Sequence, residues 1–191
     1  MSPDNLQAQH RFIIRQRLRM MVNQYEVHSV APDGSEGGLL AFAQQKRLAF
    51  KEQVTIYTDD SKQYPLLGFK ARQRLDLGAT YDVTDHAGNP IGLFRKDFAQ
   101  SLLRSTWHVE QAGLPPATGQ ERSLPVALRR FVDSLSWLPY HFDFMAGGQP
   151  VFSVDRKWAC RTGTRWRSST PQIDRRLVIA MAVGLDALQS R

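Results

Sequence analysis

The chain has 191 residues, of which 42% are hydrophobic and 23% charged, the balance of a globular protein with one substantial core. A net charge of +7 and a pI near 9.9 favour anionic partners such as phosphate-rich membrane surfaces or nucleic acid, although such a charge also serves solubility alone. The single cysteine, Cys160, excludes an internal disulfide and a multi-cysteine metal site and fits a reducing compartment; with only Arg161 beside it, a core or strand role is expected.

In chain order, residues 1–10 are polar and read as a disordered tail ahead of a single domain over 11–191. Phe12-Ile13-Ile14, followed by Arg15, Arg17 and Arg19, lacks an apolar region of signal-peptide length, so a cytoplasmic protein is expected. Alternating segments punctuated by turn residues then predict strands over Phe12–Leu18, Gln24–Val30, Gly38–Gln44, Glu52–Thr58, Leu66–Arg74, Ala79–Thr84, Pro90–Phe94 and Ser105–Glu110. They continue over His141–Ala146, Gln149–Asp155 and Thr162–Arg167. The sharpest hairpin signal is Tyr81 to Phe94, with Asp85, Gly88 and Asn89 in its turn, and a second lies around Gly147-Gly148. Gly113 to Gln120 reads as a surface loop, and Val126 to Trp137 has the spacing of an amphipathic outer helix.

The C-terminal segment departs from this rhythm. Leu177 through Leu185 is continuously apolar, and at ~100° per residue its side chains point all round a helix axis, so the helix must be buried on every side. Nine residues at about 1.5 Å rise cover less than half of a ~30 Å hydrocarbon core, so no transmembrane span is expected. Asp174 is placed to cap the helix, Asp186 has no equally clear structural role, and the small residues Ala180, Ala182 and Gly184 would let strands approach closely.

The succession Tyr25-Glu26-Val27, Leu40 to Lys46, Ile56 to Asp60, Phe69 to Arg72, Tyr81 to Asp85, Ile91-Gly92 and Asp174 to Asp186 resembles the LURP-one-related proteins of the tubby C-terminal-like superfamily, which also holds the phospholipid scramblases. The resemblance covers about residues 11 to 191. It implies a mainly β fold: a closed antiparallel barrel of about twelve strands around a buried hydrophobic C-terminal helix; such a helix on the axis would fill the interior with its own side chains, so no large internal cavity is expected. Tubby proteins bind phosphoinositides and scramblases are associated with calcium-dependent lipid movement, but neither ligating motif has a match here; Asp59-Asp60 lacks the spaced oxygen ligands calcium needs.

Basic residues recur at every second position on three segments. Arg11, Arg15, Arg17 and Arg19 share a strand face with Ile13; Lys70, Arg72 and Arg74 share another; Arg161, Arg165 and Arg167 share a third with Gly163. Their inward complement includes Phe12, Ile14, Phe69 and Trp166, so the basic combs point outward. Arg15, Arg17, Arg19, Lys70, Arg72, Arg74, Arg165 and Arg167 are therefore the candidate ligand-binding residues for anionic headgroups, and a solvated face with scattered charges is the plainer alternative. Basic pairs such as Arg156-Lys157, and tryptophans at positions 107, 137, 158 and 166, could flank a membrane but more often mark strand ends and core.

No catalytic motif, metal-ligand spacing or glycine-rich phosphate loop stands out, and no cofactor is expected. His141 and Asp143 share a strand side that could assist acid/base chemistry, though a structural pair is the commoner outcome. The expected function is thus a non-enzymatic, cytoplasmic module, peripheral to membranes, that binds acidic phospholipid headgroups. A protein-interaction scaffold is the alternative, and nucleic-acid binding ranks below both for want of a recognition motif or stacking platform.

Overall fold

A computed structural model describes residues 6–18, 22–46, 53–72, 80–97, 105–122, 140–156 and 163–189. The expected helix over 126–137, together with Arg19, Arg74, Cys160, Arg161, Trp137 and Trp158, lies outside them. The strands are β1 (Arg11–Leu18), β2 (Val22–Val30), β3 (Glu36–Lys46), β4 (Gln53–Tyr57), β5 (Pro65–Ala71), β6 (Thr80–Asp85), β7 (Pro90–Asp97), β8 (Thr106–Glu110), β9 (Ala117–Glu121), β10 (Tyr140–Ala146), β11 (Gln149–Arg156) and β12 (Thr164–Ser168). Each pairs antiparallel with its sequence neighbours, and β12 returns to β1, closing a twelve-stranded barrel without an open edge. One helix, α1 (Arg175–Gln189), follows.

Because the strands alternate in direction, the turns after β2, β4, β6, β8 and β10 all lie at the end where α1 enters. Local chemistry sets their shape. Asp85 accepts the backbone N–H groups of Ala87 and Asn89 at 2.9 and 2.8 Å, and Gly147 and Gly148 take φ values of 54° and 79°, the paired left-handed conformation of a two-residue hairpin turn.

The segment expected to be a surface loop, Gly113 to Gln120, is corrected in its second half, where Ala117–Glu121 forms β9 between β8 and β10. Its composition hid it. A Cβ on Gly119 would lie 2.6 Å from the Phe144 ring, so the glycine that weakens the strand signal is the one that seats a core aromatic.

Two arcs of rings line the interior. Phe69, Tyr81, Phe94 and Trp107 touch in succession across β5 to β8, with centroids 5.0 to 6.5 Å apart. Tyr140, Phe142, Phe144, Phe152, Trp166 and Phe12 continue from β10 round to β1, the closest pair, Phe144 and Phe152, at 4.1 Å. Between the arcs runs α1, on which Leu177 through Val183 and Leu185 are all buried. Helix and β7 fit reciprocally: a Cβ on Gly92 would meet Leu177 at 2.8 Å, and one on Gly184 would meet the Phe94 ring at 2.8 Å.

The helix start is held from three directions. The Asp174 carboxylate accepts the Arg176 N–H at 2.8 Å and pairs with its guanidinium, making the expected N-cap. Side-chain oxygens of Gln111 and Gln7 accept the N–H groups of Asp174 and Arg175 at 2.8 and 3.0 Å, and Arg175 itself is buried. Burial pushes its guanidinium below the usual value, and the carbonyls of Gln9, Thr170 and Ile173 receive its Nε and Nη1 donors at 2.7 to 3.0 Å, while Nη2 is buried without a hydrogen-bond partner among the described residues. The expected disordered tail is corrected here from Leu6 onward. Leu6 is buried and Gln7 donates to the carbonyls of Pro171 and Ile173, so apolar burial and amide bonding order residues 6–10 over the helix entrance.

Ala182→Asp places an unpaired carboxylate in this core, a cost of several kcal/mol against a total stability of about 5–15 kcal/mol. Circular dichroism should find the variant unfolded; a soluble variant with wild-type melting would put α1 outside the core. Gly119→Ala should cost about 1–3 kcal/mol in urea unfolding, and Phe144→Leu in the same chain should recover part of it.

Candidate functional site

Strand pairing separates the basic combs. β1 and β12 are neighbours, with Arg11 directly opposite Arg167 and Ile13 opposite Arg165. β5, which carries Lys70 and is followed directly by Arg72, stands four strands from β1 and five from β12 round the barrel. The eight candidates therefore do not form one patch. Lys70 and Arg72 belong to a different side, and Arg19 and Arg74 are not among the described residues.

Neutralisation divides them further. The Arg15 guanidinium binds Glu36, with Nε at 2.7 Å from the carboxylate, and Arg17 reaches Glu26 at 3.0 Å. Arg72 donates twice to Asp82 at 2.7 Å, a bidentate contact that raises its guanidinium above the usual value. By contrast, Arg11, Arg165 and Arg167 are exposed and make no ion pair among the described residues. Asp155 lies opposite Arg165 in the ladder, but its Oδ1 accepts instead from His141 at 2.9 Å and Arg122 at 3.3 Å. Like charges directly across a ladder, as at Arg11 and Arg167, cost stability unless something outside the chain neutralises them.

Arg122 was not a candidate from sequence. It follows β9, the strand hidden by its own composition, and grips Asp143 with two guanidinium donors while also touching Asp155. Arg122 thereby holds the Asp143 carboxyl below the usual range. The pair expected from sequence, His141 with Asp143, is thus divided: His141 bonds Asp155, and Asp143 is spent on Arg122. His28 likewise lies beside Glu26 and Glu36, and His108 bonds Thr118 at 3.0 Å and Asp97 at 3.3 Å. No group of metal-ligating side chains occurs among the described residues. Trp107 and Trp166 are buried core, and the Asp59 carboxylate is occupied within its own turn by the Ser61 N–H at 2.9 Å.

Two hollows lined by described residues lie on this surface. One, of about 430 Å³, lies over Gly68 on β5 beside Lys70 and the Arg72–Asp82 pair. The other, of about 220 Å³, opens at the barrel mouth beside the start of α1. No helix among the described residues is long and apolar enough to cross a membrane.

Comparison with known proteins agrees with this architecture at the level of family. The family model described as LURP-one-related matches residues 40–186. No curated protein and no solved structure matches the chain.

Because Asp143 is held low, its contribution is present above the unfolded carboxyl value of ~3.9 and disappears as pH falls through the lower folded value. Arg122→Ala should therefore cost about 1 kcal/mol at pH 7, the scale of a partly exposed ion pair, and approach zero cost near pH 2. Urea unfolding of both proteins across pH checks this; a pH-independent difference would assign the loss to packing.

Proposed function

The chain belongs to the LURP-one-related family, and from that premise we propose that it is a non-enzymatic, cytoplasmic module that binds anionic phospholipid headgroups at membrane surfaces. Arg11, Arg165 and Arg167 carry the binding. The observation behind this assignment is their placement: three exposed guanidiniums on two adjacent strands, without an internal counter-ion among the described residues. A basic residue near an acidic leaflet contributes about 1 kcal/mol, so the three together give a contact of about 3 kcal/mol. Such a contact is weak and salt-sensitive, because exposed charges are screened over ~8 Å at physiological ionic strength. Arg15, Arg17 and Arg72, already paired, add less.

Sedimentation with vesicles tests the proposal. Wild-type protein should pellet with phosphatidylserine-containing vesicles at 0.1 M salt and not with phosphatidylcholine alone. The triple variant Arg11→Gln, Arg165→Gln, Arg167→Gln should lose about 100-fold in partitioning, whereas Arg72→Gln should change it little. Equal sedimentation with neutral and acidic vesicles, or full binding by the triple variant, would remove these strands from membrane recognition.

A further inference from the structure

The cavity at the barrel mouth is untouched by the headgroup proposal. Its walls are Val109 on β8, Ala117 on β9, Ala146 on β10, Val151 on β11 and Ile173 ahead of α1. Two features make it. Phe144 faces Phe152 while Met145 faces Pro150, so Val151 is the extra residue of a β-bulge. The bulge buries Val151 beside Phe152 instead of leaving it on the outer face. Ala117 and Ala146 then stand where larger inward residues would fill the mouth.

What the cavity can hold follows from its lining. No charged side chain among the described residues contributes to it. Two of the polar groups at its rim are already engaged: the Gln111 amide bonds the Gln172 carbonyl and the Asp174 N–H, and the Thr170 hydroxyl donates to the Pro150 carbonyl at 3.3 Å, while Gln149 stands exposed at the edge. A guest is therefore held by apolar contact. At about 220 Å³ the cavity is smaller than the ~300–1,000 Å³ of sites that enclose a whole drug-sized ligand, so it takes the end of a chain.

The charges nearby say what stands at the other end of that chain. Thr170, in the cavity wall, follows Arg167 by three residues, at most ~11 Å of extended backbone. The N–H groups of Ser169 and Thr170 both bond the Val151 carbonyl, at 2.8 and 3.2 Å, which ties this stretch to the cavity wall. The Arg11–Arg167 pair thus flanks the same end of the barrel, Arg167 on β12 next to the wall strand β11 and Arg11 opposite it on β1, one strand further on. We infer that the mouth cavity binds the chain end of a single-chain anionic amphiphile of the fatty-carboxylate class, whose head is held by Arg11 and Arg167. The inference rests on these arginines forming an anion site, as in the proposed function, and adds a lipid chain to it.

Calorimetric titration with octanoate, decanoate and dodecanoate below their micelle concentrations, with decanol and acetate as controls, tests it. Affinity should rise about fourfold per added methylene until the cavity is full, and decanoate should bind more tightly than decanol. Ala146→Leu and, from another wall, Ala117→Ile should each weaken decanoate at least tenfold while retaining wild-type melting and vesicle sedimentation. Arg11→Gln with Arg167→Gln should bring decanoate down to decanol. A flat chain-length series, or decanoate binding unchanged by either cavity-filling variant, would overturn the inference. Vesicle sedimentation run in parallel separates the two proposals: its persistence beside a flat series overturns the cavity alone, and its absence beside a steep, cavity-dependent series overturns the membrane assignment alone.

Discussion

A helix with no polar side is stable only where water cannot reach it, and the architecture of this protein follows from housing one. A barrel of about eight strands is filled by its own side chains, whereas twelve leave an axial space that a helix of about 10–12 Å diameter occupies. Strand number and helix therefore require one another. The fit is set residue by residue, Leu177 seated at Gly92 and Phe94 at Gly184, with rings closing the space on either side. Interiors packed to this density have little room for added volume, so large and small residues are paired across the interface.

The entrance of the helix concentrates the polar groups that the core excludes. A basic residue in the first helical turn opposes the helix dipole, and this helix has Arg175 and Arg176 there with no acidic residue. Asp174 compensates for one through a carboxylate contact. Carbonyls from residues 9, 170 and 173 accept from the other, recruiting the N-terminal segment as part of the lid. The mouth cavity lies beside this lid, and Gln111 belongs to both, accepting the first N–H of the helix while lining the cavity.

The interior is largely apolar, with Glu121 on β9 and Arg175 at the start of the helix buried among the described charges, and on the outer face several charges pair: Arg15 with Glu36, Arg17 with Glu26, Arg72 with Asp82, Arg95 with Glu110 and Arg122 with Asp143. Lys62 and Lys70 are likewise exposed and make no ion pair among the described residues, but the clustering of Arg11, Arg165 and Arg167 is a property of pairing across the closing seam of the barrel. Family membership fixes the scaffold, and this residue-level surplus is what distinguishes one part of its surface from another.

Much of the fold was legible because it is local. Period-two alternation placed eleven strands, turn residues placed the Asp85 and Gly147-Gly148 hairpins, and the all-apolar run with Asp174 ahead of it placed a capped, buried helix. The exceptions had other causes: β9 is concealed by prolines and by a glycine that seats Phe144, and the segment around Gln7 reads as disordered because the carbonyls that Gln7 bonds lie more than 160 residues away. The site was legible only as a set of outward arginines. The sequence by itself determined which residues face out, since side-chain direction follows from neighbours two positions apart. Only the closed tertiary structure decided that β12 lies beside β1 while β5 lies across the barrel. It also decided which carboxylates reach which arginines, because such contacts depend on long-range register that no local pattern encodes.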